Sequence, residues 1–214
     1  MISDPPITPQ ENEIAGVYVE LMCEIRDRLR AVDRSRRPQF SKPMFDQEYL
    51  AAEFGMLQLR MVCELVAFAC VSAHGDIPIT RTGKFKKDYS ADLIFRKLEH
   101  YHPGFFPEAV KSVGPFDCPD LQPREGAMTR GELVKLYRYC LDRLHRGRVQ
   151  DILEWNRREY DYRYLGESIN KLLWLLDQHT ITLLRDDGRR AWVQMDVNGK
   201  VRWLWMFDEG QLDR

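Results

Sequence analysis

Arg138 and His145 stand seven positions apart in the segment KLYRYCLDRLHRGR. Seven residues make nearly two helical turns, so on a helix both side chains project from one face, about 10 Å apart along the axis. A histidine can take or give a proton near neutral pH. A guanidinium can grip a phosphate through two donors and stabilise charge developing at phosphorus. Together they suit metal-independent RNA cleavage, with the ribose hydroxyl as the attacking nucleophile. Long side chains, or a second copy of the helix in a homodimer, would bring both groups to one phosphate.

Arg60 and Glu64 form a second constellation. They are one turn apart in a very apolar segment, and a buried charge must be partnered because stranding it costs several kcal/mol. The expectation is a polar cluster inside the protein, with Tyr137 or His145 as further members. The ordinary role of such a cluster is to fix packing and register. His100 and His102 straddle Tyr101 at a spacing that could supply two metal ligands, yet no neighbouring Cys or carboxylate set completes a site. Signatures for phosphate-loop, dinucleotide, nucleophile-elbow, zinc-protease and EF-hand sites do not occur in the chain. The expectation is no cofactor and no metal.

The elements that must position these residues follow from periodicity. Ile14 to Val32 place apolar side chains at helical spacing. A basic, proline-stopped connector follows. Asp46 to Ala73 is the strongest helix, apolar in almost every direction from Phe54 to Val71 except for the stripe of Arg60 and Glu64, which marks a buried central helix. Residues 76–89 read as a basic loop, and Ser90 as the N-cap of a helix to His100. The proline-rich segments HPGFFPEAV and GPFDCPDLQP read as surface connections. Thr129 and Glu132 form the capping-box pattern that opens a helix to about Arg146, and its apolar arc holds Leu133, Leu136, Tyr137, Cys140 and Leu144. Val149 to Gln178 is helical, with Gly166 as a break.

The period then changes. HTITLLR, RRAWVQM and KVRWLWMF are rich in strand formers and are separated by DDG and NG turn signals. In the last strand Trp203 and Trp205 share a face. With Trp192 and Phe207 they make an aromatic end that either packs on the helices or offers a stacking platform.

The fold class expected is therefore mainly α: a helical bundle around a buried central helix, with a C-terminal three-stranded antiparallel β-meander as an α+β appendage. The organisation expected is a flexible leader over residues 1–12, the bundle over 13–178, the meander over 179–208 and a tail over 209–214.

The 214 residues carry a net charge of −1, so no global field draws the chain to nucleic acid or anionic lipid. Locally, Arg81 to Lys97 and Arg124 to Arg148 each hold an excess of four positive charges, which could meet phosphates but is also ordinary for solvated helix faces. The cysteines number five and none forms a CxxC pair; Cys63, Cys70 and Cys140 sit in apolar helical patterns, which points to free buried thiols in a reducing compartment. The N-terminus has no basic-then-apolar signal, and the stretch from Met61 to Ala73 is shorter than the roughly 20 residues a bilayer needs. The expectation is a cytoplasmic protein without a membrane partner.

Two resemblances rest on these residues. FGMLQLRMVCELVAFACV, LEHYHPGFFP and LVKLYRYCLDRLH together resemble a family of bacterial proteins of uncharacterised activity, with an LQLRxxxELxAFA helix and a YxxCxxxLH helix. Leu141 stands where that family has glycine, and Arg-Gly-Arg follows the histidine in place of Asn-Pro. Arg138 with His145 resembles the Arg–His motif of HEPN domains, helical bundles of which many dimerise and cleave RNA without a metal in toxin or defence systems. Tyr139 replaces the polar residue that usually follows the arginine. That resemblance implies phosphate binding by Arg138 and general acid/base work by His145, with RNA as substrate. Other HEPN-like bundles bind partners without catalysis, so a protein-binding or nucleic-acid-binding module with a structural His145 is the second expectation.

Overall fold

A computed structural model describes residues 7–36, 48–75, 82–83, 90–113, 120–145, 153, 160–183, 189–196 and 199–206. The basic loop lies almost wholly outside the described residues. So do most of Val149 to Glu159, Cys118, Phe207 and the tail.

Helix α1 spans Pro9–Arg36. Tyr18, Met22, Ile25, Leu29 and Val32 recur at alternating spacings of four and three, and all are buried. They pack along α2, Glu48–Ala73. Residues 9–12, expected in a flexible leader, form the first turn of α1. Thr8 Oγ1 accepts from the Glu11 amide at 3.3 Å, and Glu11 Oε2 accepts back from the Thr8 amide at 2.6 Å. This is a capping box, and Pro9 sits at the position where a missing N–H costs nothing. Glu11 is itself fully buried and ion-pairs with Arg189, also buried.

The α2 helix is the central element, but not along its whole length. From Val62 to Ala67 every residue is buried, whereas Leu50 and Leu57 in its first half are exposed. This helix of 26 residues holds an 18-residue window of mean hydropathy 1.7, which is long and apolar enough to cross a membrane, yet 61% of that window is buried against the other elements.

Helix α3, Ala91–Tyr101, and helix α4, Arg130–Leu144, flank α2. Helix α5, Tyr162–Asp177, leads straight into the sheet. Gly166 lies inside α5 and does not break it.

The sheet has five antiparallel strands in the order β2-β1-β3-β4-β5. They are β1 Glu108–Val113, β2 Asp120–Pro123, β3 Gln178–Thr182, β4 Arg190–Met195 and β5 Val201–Met206. The expected C-terminal meander is β3-β4-β5. The two added strands come from the proline-rich segments read as surface connections, which corrects the strand count. Strand β1 pairs with β3, Ala109 opposite His179, across about seventy residues of sequence. No local signal announces such a pairing. At the β4–β5 turn the Gly199 amide donates to the Asp196 carbonyl at 3.2 Å, and a Cβ on Gly199 would collide with the Asp196 side chain. The glycine serves close approach there.

Registers place His179, Val193 and Trp203 in one row. This face meets the helices: Trp203 lies 5.1 Å from Tyr18 of α1 and 5.0 Å from Trp205. The aromatic face therefore packs on the bundle, the commoner of the two expectations.

Candidate functional site

Helix α4 is held at its start by the expected capping box. Thr129 Oγ1 accepts from the Glu132 amide, and Glu132 Oε2 accepts from the Thr129 amide at 2.9 Å. Lys171 Nζ of α5 donates to Glu132 Oε1 at 2.6 Å. That contact, followed by the Thr129 amide, brings the Glu132 carboxyl down to about 2. Leu133, Leu136, Tyr137 and Cys140 form the buried face, as the periodicity requires.

The Arg60 and Glu64 cluster exists and Tyr137 belongs to it. Arg60 Nε donates to Glu64 Oε1 at 3.0 Å, and the Tyr137 hydroxyl donates to the same oxygen at 3.3 Å. Burial pushes the Tyr137 phenol up, against a hydrogen bond from Ser90. Ser90 stands at the N-cap of α3 as expected, but its side chain makes no cap bond and interacts with Tyr137 of α4. The cluster ties α2, α4 and the start of α3 together. Glu64 is 7% exposed, so a substrate has little access to it.

His145 is not part of that cluster. It caps the C-terminus of α4 in an extended conformation and is exposed. Arg138, seven residues earlier on α4, is also exposed, but its guanidinium is engaged: Nη2 contacts Asp92 Oδ2 of α3 at 2.6 Å. Farther along, Arg130 pairs with Glu99 at 2.7 Å. These two bridges make α3 and α4 antiparallel, so the amino end of α3 lies beside the carboxyl end of α4. Free amide N–H groups at a helix start favour anions. Arg138 thus stands next to a helix start, with the Asp92 carboxylate already occupying one of its edges. Its side chain keeps 62% of its surface, which leaves other donors open to solvent.

The remaining histidines separate cleanly. His179 is fully buried: Nδ1 faces the Leu176 carbonyl at 3.3 Å, and Nε2 meets the Tyr18 hydroxyl at 2.8 Å. His74 Nδ1 faces the Cys70 carbonyl at 2.8 Å, and His102 Nε2 faces the Thr182 carbonyl at 2.9 Å. His102 is thereby turned inward, while His100 is exposed and packs edge-on against Tyr101 at 5.0 Å. The two do not converge. Burial pushes the Cys63 and Cys70 thiols up, and Cys140 up to about 12, so none is poised as a nucleophile.

Asp92, Ser90, Glu11 and Arg189 were missed as partners by sequence reasoning. The TPQE pattern at Thr8 to Glu11 carried a signal for one of them. Compared with known proteins, the chain matches no family model, no curated protein and no solved structure.

Proposed function

We propose that the protein cleaves RNA without a metal, in a HEPN-like manner, at the exposed edge formed by Arg138 and His145. One observation carries the reading. His74, His102 and His179 are committed to carbonyl or phenol contacts in the interior, whereas His145 is exposed at the end of α4, the helix that carries the exposed, Asp92-paired Arg138.

The step would run as follows. His145 takes the proton from the ribose 2′-hydroxyl, and O2′ attacks the adjacent phosphorus. The P–O5′ bond breaks, leaving a 2′,3′-cyclic phosphate. O5′ leaves as a hydroxyl with a proton from a second imidazole or from water. Arg138 neutralises the phosphoryl oxygens as charge grows on them. The ~10 Å between the two positions favours a site completed by a second copy of α4. The buried thiols fit a reducing, cytoplasmic setting for this activity.

The test is the chemistry of the products. Cleavage should leave 2′,3′-cyclic phosphate and 5′-hydroxyl ends, and RNA with 2′-O-methyl riboses should resist. Cleavage of the methylated RNA would sink the proposal. His100, exposed one turn beyond Arg96, provides the internal control, and His100→Ala should cleave normally.

The Arg138–Asp92 contact favours a second reading, a non-catalytic interaction module. In that reading Arg138 fastens α3 to α4, and the exposed edge binds a protein or nucleic-acid partner. Binding of RNA without cleavage would distinguish it.

A further inference from the structure

A cavity of about 260 Å³ opens between α1, α2 and α5. Val32, Met56, Leu59, Leu165 and Ile169 supply its apolar walls. At its mouth stand Glu48 and Tyr162, whose phenol is pushed up by burial and then by the Glu48 carboxylate beside it. Among the described residues no Lys or Arg pairs with Glu48.

Gly55 also lines the cavity, in the first third of α2. A glycine inside a helix weakens it relative to alanine, so its presence calls for a reason. The usual reasons are absent here. The backbone is helical, and a Cβ at Gly55 would meet no atom within 4 Å. The glycine gives no neighbouring group closer approach, and a side chain there would enter open space at the cavity wall.

We propose that this cavity binds a small apolar amine, with its hydrocarbon part between α2 and α5 and its ammonium on the Glu48 carboxylate. Apolar walls with a few convergent polar groups describe ligand pockets in general. The Glu48 carboxylate at the mouth favours a cation, and the Tyr162 phenol stands beside it. An exposed aromatic ring at the rim adds a favourable face for a cation.

Calorimetric titration of the full-length protein with tryptamine, its alcohol analogue tryptophol and indole-3-propionate tests this. The three share a ring system and differ in the charge of the head. Tryptamine should bind and raise Tm, tryptophol should bind about tenfold more weakly, and the acid should bind least. Glu48→Gln should abolish the preference for the amine. Gly55→Leu, which fills the cavity, should remove binding, and Gly55→Ala should retain it with a raised Tm. If Gly55→Leu fails to fold, the Glu48→Gln comparison decides alone. No binding of tryptamine at millimolar concentration, or equal binding of all three compounds, would overturn the proposal.

Discussion

The Tyr18 hydroxyl donates to Nε2 of His179 across 2.8 Å in the interior, where α1 meets β3. The Leu176 carbonyl faces Nδ1 and therefore fixes the proton there, which leaves Nε2 as the acceptor. Desolvation dominates the environment and brings the imidazole down to about 4. The unfolded chain, with an ordinary imidazole near 6.5, then binds more protons than the folded one between these values. Stability is complete above about pH 6.5, falls as pH drops toward 4 and levels off below, by up to about 3 kcal/mol. Thermal unfolding followed by circular dichroism against pH should show this decline, and His179→Leu should flatten it. Tyr18→Phe leaves a buried acceptor unpaired and should cost about 1–3 kcal/mol at neutral pH.

Glu11 and Arg189 join the first turn of α1 to the start of β4 through a buried ion pair. Removing one charge strands the other in a poorly solvated place. Glu11→Leu and Arg189→Leu should each cost about 3–5 kcal/mol in denaturant unfolding. The double variant should recover part of that loss. Additive losses in the double variant would show that the two charges do not depend on each other.

Such a pair also shows what the sequence could and could not reveal. The TPQE start of α1 is readable, because a capping box with proline at the first helical position is a local pattern. The burial of Glu11 is not, because Arg189 lies far along the chain. The same division runs through the fold. Strands β3 to β5 follow each other with turn signals between them and are legible. Strands β1 and β2 become part of the sheet only because β3 arrives beside β1 after α4 and α5. The Arg60–Glu64 pair with Tyr137 was visible as a charged stripe in an apolar helix that needed a partner. Asp92 was invisible as the partner of Arg138, because nothing local says that α3 and α4 run antiparallel.

The Arg60, Glu64 and Tyr137 cluster fixes the register of α4 on α2. Tyr137→Phe removes one hydrogen bond to Glu64 and should cost about 1 kcal/mol. Arg60 retains 30% of its side-chain surface, so solvent moderates its loss. Arg60→Leu should cost about 1–2 kcal/mol, and the double variant Arg60→Leu, Glu64→Leu should fall near the parent. Urea midpoints for the four proteins check this. A double variant much less stable than Arg60→Leu would contradict it.

Asp92 holds one edge of the Arg138 guanidinium and would compete there with a bound phosphate. If the edge of α4 contacts RNA, Asp92→Asn should tighten RNA binding by about two- to fivefold at low salt, the scale of an exposed ion pair. Stability should change by no more than about 1 kcal/mol. Filter binding of labelled RNA across a salt series measures the effect. Unchanged affinity would place Arg138 outside the RNA contact.

Cleavage of labelled mixed-sequence RNA in EDTA, by the parent and by His145→Ala and Arg138→Ala variants of verified fold, tests the central claim most directly. Both side chains are exposed, so neither substitution should disturb folding. The account predicts cleavage by the parent and a loss of about 100-fold or more in each variant. An intact parent that leaves RNA uncut, or variants that cut as fast as the parent, would contradict it and leave the edge of α4 as a surface for binding alone.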